Sequence, residues 1–145
     1  MSKAWLGSLL RARQVQEDVA RERFAHAQRH ARTTEGRVHS DDQRVRALLE
    51  EAIPGSAAAF IAASSARQAA AATLAAAQQT HAMAEDQVLA SRRSLTDAAQ
   101  QRLSAEKLAE REATEERRAR DAAQQQELDE IGSRPRRNDD LAAGA

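Results

Sequence analysis

Two histidines four positions apart, His26 and His30, come nearest to a chemical site in this chain. On a helix that spacing puts both imidazoles on one face, where they could share a metal ion. The intervening Ala27-Gln28-Arg29 lacks the glutamate of a zinc protease, and Arg29 and Arg32 place positive charge beside any bound cation. Solvated surface histidines are the better reading, and neither a metal nor another cofactor is expected. The carboxylates Glu110, Glu112, Glu115 and Glu116 are the other candidates. General acid–base catalysis needs a carboxyl group held in a cleft with a shifted pKa. These four instead alternate with arginines along one stretch, and Glu116 with Arg120 makes an i,i+4 pair, the pattern of a solvated, salt-bridged face. The sequence has no glycine-rich phosphate loop, no Ser/His/Asp arrangement tied to a strand–turn–helix and no tyrosine, so an enzyme is not expected.

The elements that would carry these residues follow from composition. Aromatic residues make up 2% of the 145, and most of the apolar content is alanine, which fills little volume, so a thick globular core is not expected. Charged residues at 30%, with abundant Ala, Glu, Arg, Leu and Gln, are the composition of long helices and coiled coils. Net charge is zero and no segment is basic enough to predict nucleic-acid binding; the short "RPRR" at residues 134–137 is diluted by Asp139 and Asp140. Cysteine is absent, which fits a cytosolic protein. The apolar "AWLGSLL" is closed by Arg11 and Arg13 and is too short for a signal core or a membrane span, so a cytoplasmic location is expected, without direct membrane insertion.

Periodicity then divides the chain. Phe24, Ala31, Val38, Val45 and Ala52 recur at intervals of seven, with Ala20, Ala27, Thr34, Asp41 and Leu48 between them. That is a heptad seam, weakened at Thr34 and Asp41. Upstream, Leu6, Leu9, Leu10, Ala12, Val15 and Val19 continue a helical stripe in a shifted register, giving a first helix of about residues 3–53. After Pro54-Gly55 the interval returns as Phe60, Arg67, Leu74, His81, Val88 and Leu95, with Ala63, Ala70, Ala77, Ala84, Ser91 and Ala98 between. Past Leu95 the register is expected to slip through Leu103 and Leu108. Gly132 and Pro135 stop a second helix of about residues 56–131, with Ser56 as its N-cap and residues 132–145 as a loose tail.

Proline breaks a helix and glycine tolerates a left-handed conformation, so residues 54–55 predict the reversal of an antiparallel two-helix coiled-coil hairpin over residues 1–131, an all-α fold. A symmetric fold-back there makes the numbers of facing residues add to about 109, if both helices rise equally. Phe24 would then meet Ala84 and Val88, while Leu6, Leu9 and Leu10 would meet Leu95, Ala98 and Leu103. The second helix would overhang the first by roughly 25 residues, about 35–40 Å, and such an overhang needs charge pairs or a partner to support it. At the turn, Phe60 fits the seam, while Ile61 and Leu49 are expected to be partly exposed. Those residues either staple the hairpin shut or form a partner-binding patch.

Two stretches resemble one family. The N-terminal "WLGSLLRARQVQEDVARERFAHA" resembles the opening of the flagellar export protein FliJ, with an aromatic residue and leucines ahead of an Arg-rich helix. The C-terminal "EKLAEREATEERRARDAAQQQELDEIGSR" is similar to that family's last helix, above all in "EKLAER" followed by "ELDEI". Length, central break and short tail agree, whereas the alanine and serine after Ile61 depart from the larger side chains of family members. The resemblance implies a cytoplasmic, non-enzymatic part of the flagellar type III export apparatus, peripheral to the membrane through its partners. It further implies a stalk that enters the hexameric ring of the export ATPase FliI, contacts the gate protein FlhA and handles export chaperones. Carried onto this sequence, the ring-facing residues are Leu6, Leu9, Leu10, Arg11, Arg13, Arg111, Arg117, Arg118, Arg120, Leu128 and Ile131. The gate contacts are Leu48, Leu49, Phe60 and Ile61.

A stalk of this kind predicts a monomer in isolation. The competing reading is a structural or chaperone-like hairpin that self-associates and buries Phe60 and Ile61. A membrane-surface helix is disfavoured, because the alanine-rich stripes lack the bulky face such binding needs.

Overall fold

The computed structural model describes residues 3–52 and 55–135. Those residues form two helices, α1 (Ala4–Glu50) and α2 (Ala57–Ser133), with no strand among them. The fold is an all-α helical hairpin. Two compact units divide at residues 103 and 104. The first holds α1 and α2 up to Leu103, packed antiparallel; the second holds α2 from Ser104.

The seam of the first unit follows the heptad spacing closely. On α1, Leu6, Glu17, Ala20, Ala27 and Thr34 are buried, and Leu10, Arg13, Phe24, Ala31, Val38, Asp41, Val45 and Leu48 are half-buried. On α2 the buried positions are Ala70, Ala77, Ala84 and Ser91, alternating with half-buried Arg67, Leu74, His81, Val88, Leu95 and Arg102. None of the larger side chains is fully enclosed. Each alanine that closes on the partner helix removes little more than a methyl group from water, about 0.8 kcal/mol. So thin a seam leaves the alignment of the helices to its polar members.

Those polar members pair across it. Arg102 Nε donates to Glu17 Oε2, and Arg21 Nη2 donates to Glu17 Oε1 at 2.9 Å, so both oxygens of a buried carboxylate are occupied. Arg13 Nη1 donates to Gln101 Oε1 at 2.6 Å, and Thr34 Oγ1 shares a hydrogen bond of 2.8 Å with His81 Nδ1. At the end of α1, Arg67 donates from Nε to the Leu48 carbonyl at 3.0 Å and from Nη2 to the Glu51 carbonyl at 3.1 Å. That arginine satisfies carbonyls which a helix end leaves without intrahelical partners. At the start of α2 the Ala59 N–H donates to Ser56 Oγ at 3.2 Å, the N-cap expected from the sequence.

These pairs correct the symmetric fold-back. That geometry puts Ala75 opposite Thr34, but Thr34 meets His81, six positions further along α2 and about 9 Å along the axis. Phe24 is therefore not level with Ala84, and the pairing of Leu6, Leu9 and Leu10 with Leu95, Ala98 and Leu103 gives way to Arg13 beside Gln101. The cause lies in the connection. α1 ends at Glu50 with Glu51 already extended (ψ 137°), and α2 does not begin until Ala57, so the helices do not reverse about two residues alone. No described glycine has a positive φ, and a Cβ placed on Gly55 would meet open space, so the left-handed glycine turn is not used. Pro54 lies outside the described residues.

Three further expectations are revised. The stripe upstream of Ala20 does not shift to Ala12, Val15 and Val19; it stays in register through Arg13 and Glu17, leaving Val15 and Val19 exposed. Phe60 is 50% exposed and outside the seam. The stripe past Leu95 does not slip to Leu103, which is exposed, but continues through Arg102. At Arg13, Glu17 and Arg102 a charged residue that finds a partner across the helices takes the place expected of an apolar one, whereas Phe60, a heptad before Arg67, lies past the end of α1.

One seam group is left without a partner: Asp41 Oδ2 is buried and makes no hydrogen bond. Replacing Asp41 with leucine is expected to raise unfolding free energy by about 1–2 kcal/mol, because a desolvated carboxylate oxygen gives way to apolar packing. Glu17→Ala is expected to lower it by about 1–3 kcal/mol, since Arg102 is partly exposed and the loss falls short of a fully buried pair. Urea denaturation followed by circular dichroism measures both.

Candidate functional site

The residues expected to touch the export gate flank the connection at two levels. Leu48 is half-buried, and its carbonyl lies against Arg67. Phe60 lies seven residues before Arg67 on α2, about 10 Å along the helix axis. Leu49 is 62% exposed and Ile61 65% exposed, so the bulky residues flanking the connection stand at two levels, Leu48 and Leu49 at one, Phe60 and Ile61 at the other. The reading in which they staple the hairpin shut needs burial that Phe60 and Ile61 do not have.

The residues expected to face a ring fall in both units. In the first, Leu6 is buried at 7% exposure and belongs to the seam, and Arg13 is committed to Gln101 and Gln16. Both are engaged within the hairpin, Leu6 by packing and Arg13 by its hydrogen bonds. Leu9 and Leu10 are half-buried, and Arg11 is exposed, with its Nη2 donating to Ser8 Oγ at 3.5 Å. Trp5, one helical turn before Leu9, is 46% exposed, and an exposed tryptophan is a stronger anchor than the leucines beside it.

In the second unit every residue from Asp121 to Pro135 is exposed. Arg117 Nε donates to the Ala113 carbonyl at 3.3 Å, and Arg120 pairs with Glu116 at 3.7 Å. Arg111 and Arg118 are exposed, seven residues apart and so on one face of the helix. Further on, Leu128 and Ile131 lie three residues apart, at 62% and 65% exposure, among Glu127, Asp129 and Glu130. Two large apolar side chains on a solvated acidic turn do nothing for the helix itself, whereas a partner could bury both.

The chemical candidates resolve simply. Among the described residues no cluster of three or more His, Cys, Asp or Glu side chains could hold a metal ion. His26 and His30 are exposed on α1 along an open groove, and Glu110, Glu112 and Glu115 are exposed on α2. No described helix is long and apolar enough to cross a membrane.

Comparison with known proteins decides the family. The family model described as "Flagellar FliJ protein" matches residues 2–139. The chain belongs to the FliJ family. No curated protein and no solved structure matches it. FliJ membership makes the chain a component associated with the flagellar export apparatus, in a family whose part there is non-catalytic. The two stretches whose sequences resemble FliJ proteins, at the start of α1 and the end of α2, both lie inside the matched range.

If Phe60 and Ile61 serve a partner and not the fold, Phe60→Ser with Ile61→Ser leaves the unfolding free energy within about 0.5 kcal/mol of the parent. A loss of about 2 kcal/mol or more in thermal or urea denaturation would return them to the hairpin's own packing.

Proposed function

We propose that this FliJ-family chain is the central stalk and regulator of the export ATPase ring, working in the cytoplasm at the inner face of the membrane. The observation that carries this reading is the bare C-terminal part of α2. There Arg111 and Arg118 are exposed, without a hydrogen-bond or ion-pair partner among the described residues, and Leu128 and Ile131 are exposed on a helix that has no need of them. A helix of mixed charge can occupy the centre of a ring without chemistry of its own. By contacting subunits unequally, it shifts which of them closes on nucleotide, a difference in binding free energy between two states of the ATPase.

In this reading Arg111, Arg117, Arg118, Arg120, Leu128 and Ile131 dock on the ring, joined by Leu9, Leu10 and Arg11 from α1. Arginine suits the task, because its planar fork keeps its charge and meets carboxylates in two-point contacts. Phe60 and Ile61, with Leu49, are the contacts to the export gate, and the same hairpin escorts export chaperones. The exposed apolar side chains at those positions support the assignment.

ATP turnover by the purified cognate export ATPase, with and without this protein, tests the proposal. Stimulation is expected with the parent chain. The Arg117→Glu, Arg118→Glu, Arg120→Glu triple variant should abolish it or raise the half-saturating concentration by about tenfold or more, while helicity stays unchanged. Equal stimulation by parent and triple variant would remove the arginines from the contact. Neither stimulation nor co-elution, with a stable oligomer of the chain alone, would favour the self-associating hairpin.

A further inference from the structure

The two flanks of the hairpin carry charge differently. Seven-residue spacing places Arg23, His30, Arg37 and Arg44 in one row beside the seam, about 10.5 Å apart along α1. All four are exposed, and none has a hydrogen-bond or ion-pair partner among the described residues. The register fixed by Thr34–His81 and Arg13–Gln101 puts Ser94, Gln87, Thr80 and Thr73 on the facing edge of α2, a wall with no carboxylate. Thr80 and Thr73 already donate their hydroxyls to carbonyls of their own helix, Ala76 at 3.0 Å and Ala69 at 2.9 Å. The opposite flank is mixed by comparison, with Glu35, Asp42 and Glu85 among its charges and an Arg46–Asp42 pair at 2.9 Å.

The basic flank is also concave at its Arg23–His30 end. Arg23, His26, Arg29 and His30 on α1, with one acid, Glu22, at the edge, and Gln87, Ala90 and Ser94 on α2 line an open groove of about 880 Å³ whose floor includes Ala27 and Ser91. Small side chains on the α2 wall make the room, and they let a further backbone approach closely. A cationic wall facing a small, neutral one lacks the acidic, helical third member that would complete both.

We propose that this flank of the hairpin docks an acidic amphipathic helix of another protein, which is seated in the groove at Arg23 and His30, continues along α1, and sets carboxylates at seven-residue intervals against Arg23, His30, Arg37 and Arg44. The spacing argues for a helix, because a helix presents side chains at the same interval and stays in step with the row over several turns. The missing carboxylates on α2 argue for acidity. This site uses none of the residues assigned to the ATPase ring and stands or falls independently of that assignment.

The probe is a synthetic helical peptide of roughly four heptads, with glutamate at every seventh position and alanine and leucine on the adjoining face. Its binding to the full chain is followed by fluorescence anisotropy at low and moderate salt. A peptide of the same composition in permuted order serves as comparison. The ordered peptide is expected to bind more tightly, and Arg37→Gln with Arg44→Gln to weaken it about three- to tenfold, whereas Arg92→Gln with Arg93→Gln on α2 leaves it unchanged. Gln87→Glu with Ser94→Glu supplies the carboxylates from within the chain. It should abolish docking while keeping the hairpin helical by circular dichroism.

Several results would overturn the proposal. They are equal binding of the ordered and permuted peptides, equal loss in both arginine pairs, no binding of the ordered peptide, and capture of phosphatidylglycerol vesicles by the same arginines in place of peptide.

Discussion

A seam made mostly of alanine is the constraint on which the rest of this structure depends. Alanine lets two helices approach closely, but its methyl groups look nearly alike after a slide of one heptad, so apolar burial alone leaves the alignment poorly specified. Glu17 with Arg102, Arg13 with Gln101, Thr34 with His81, and Arg67 with the end of α1 supply what alanine cannot. A displaced register would leave the Glu17 carboxylate desolvated and without Arg102, a cost several times that of losing one methyl contact. Buried polar groups of this kind contribute less to total stability than to the choice of one arrangement over its neighbours.

Much of this was legible in the sequence, and the failures have physical causes. Residues such as Ala20, Ala27, Ala77 and Ala84 were placed correctly, because seven-residue spacing is a property of the helix and survives any error in pairing. Ser56 was readable as a cap from local chemistry alone. The alignment of α1 with α2 was not, since it depends on the path of the connection and on contacts between residues far apart in sequence. Apolar Val15 and Val19 looked better suited to a seam than Arg13 and Glu17, and only the partners on α2 reverse that preference. Phe60 failed for a related reason: the seam there begins with Arg67, which is needed at the end of α1. The row from Arg23 to Arg44 could be counted in the sequence, but its neutral facing wall depends on the register and was invisible before it.

Family membership makes this chain a component associated with the flagellar export apparatus, in a family whose part there is non-catalytic. Among the described residues there is no metal-binding cluster, and the histidines and glutamates that first suggested chemistry stand on solvated helix faces. The exposed features fall into separate groups: bulky side chains beside the connection, a basic groove along α1, and a bare stretch at the end of α2. Such a distribution suits a chain that meets several partners of the export apparatus through different parts of two helices. It also explains how so lean a core suffices, because fixing the level of each group requires only that the hairpin keep one register.

The register is therefore the claim to test first, and the absence of cysteine makes the test clean. A disulfide forms only where Cα atoms approach within about 4.4–6.8 Å, which discriminates between neighbouring layers of a seam. Two double variants are to be oxidised side by side: Ala27→Cys with Val88→Cys, matched to the register of Thr34 and His81, and Ala20→Cys with Val88→Cys, matched to within one residue to the symmetric fold-back. The account predicts rapid and nearly complete intrachain cross-linking of the first pair and little of the second. Faster cross-linking of the second pair would show that the polar contacts do not set the alignment, and the facing wall assigned to the basic groove would fall with them.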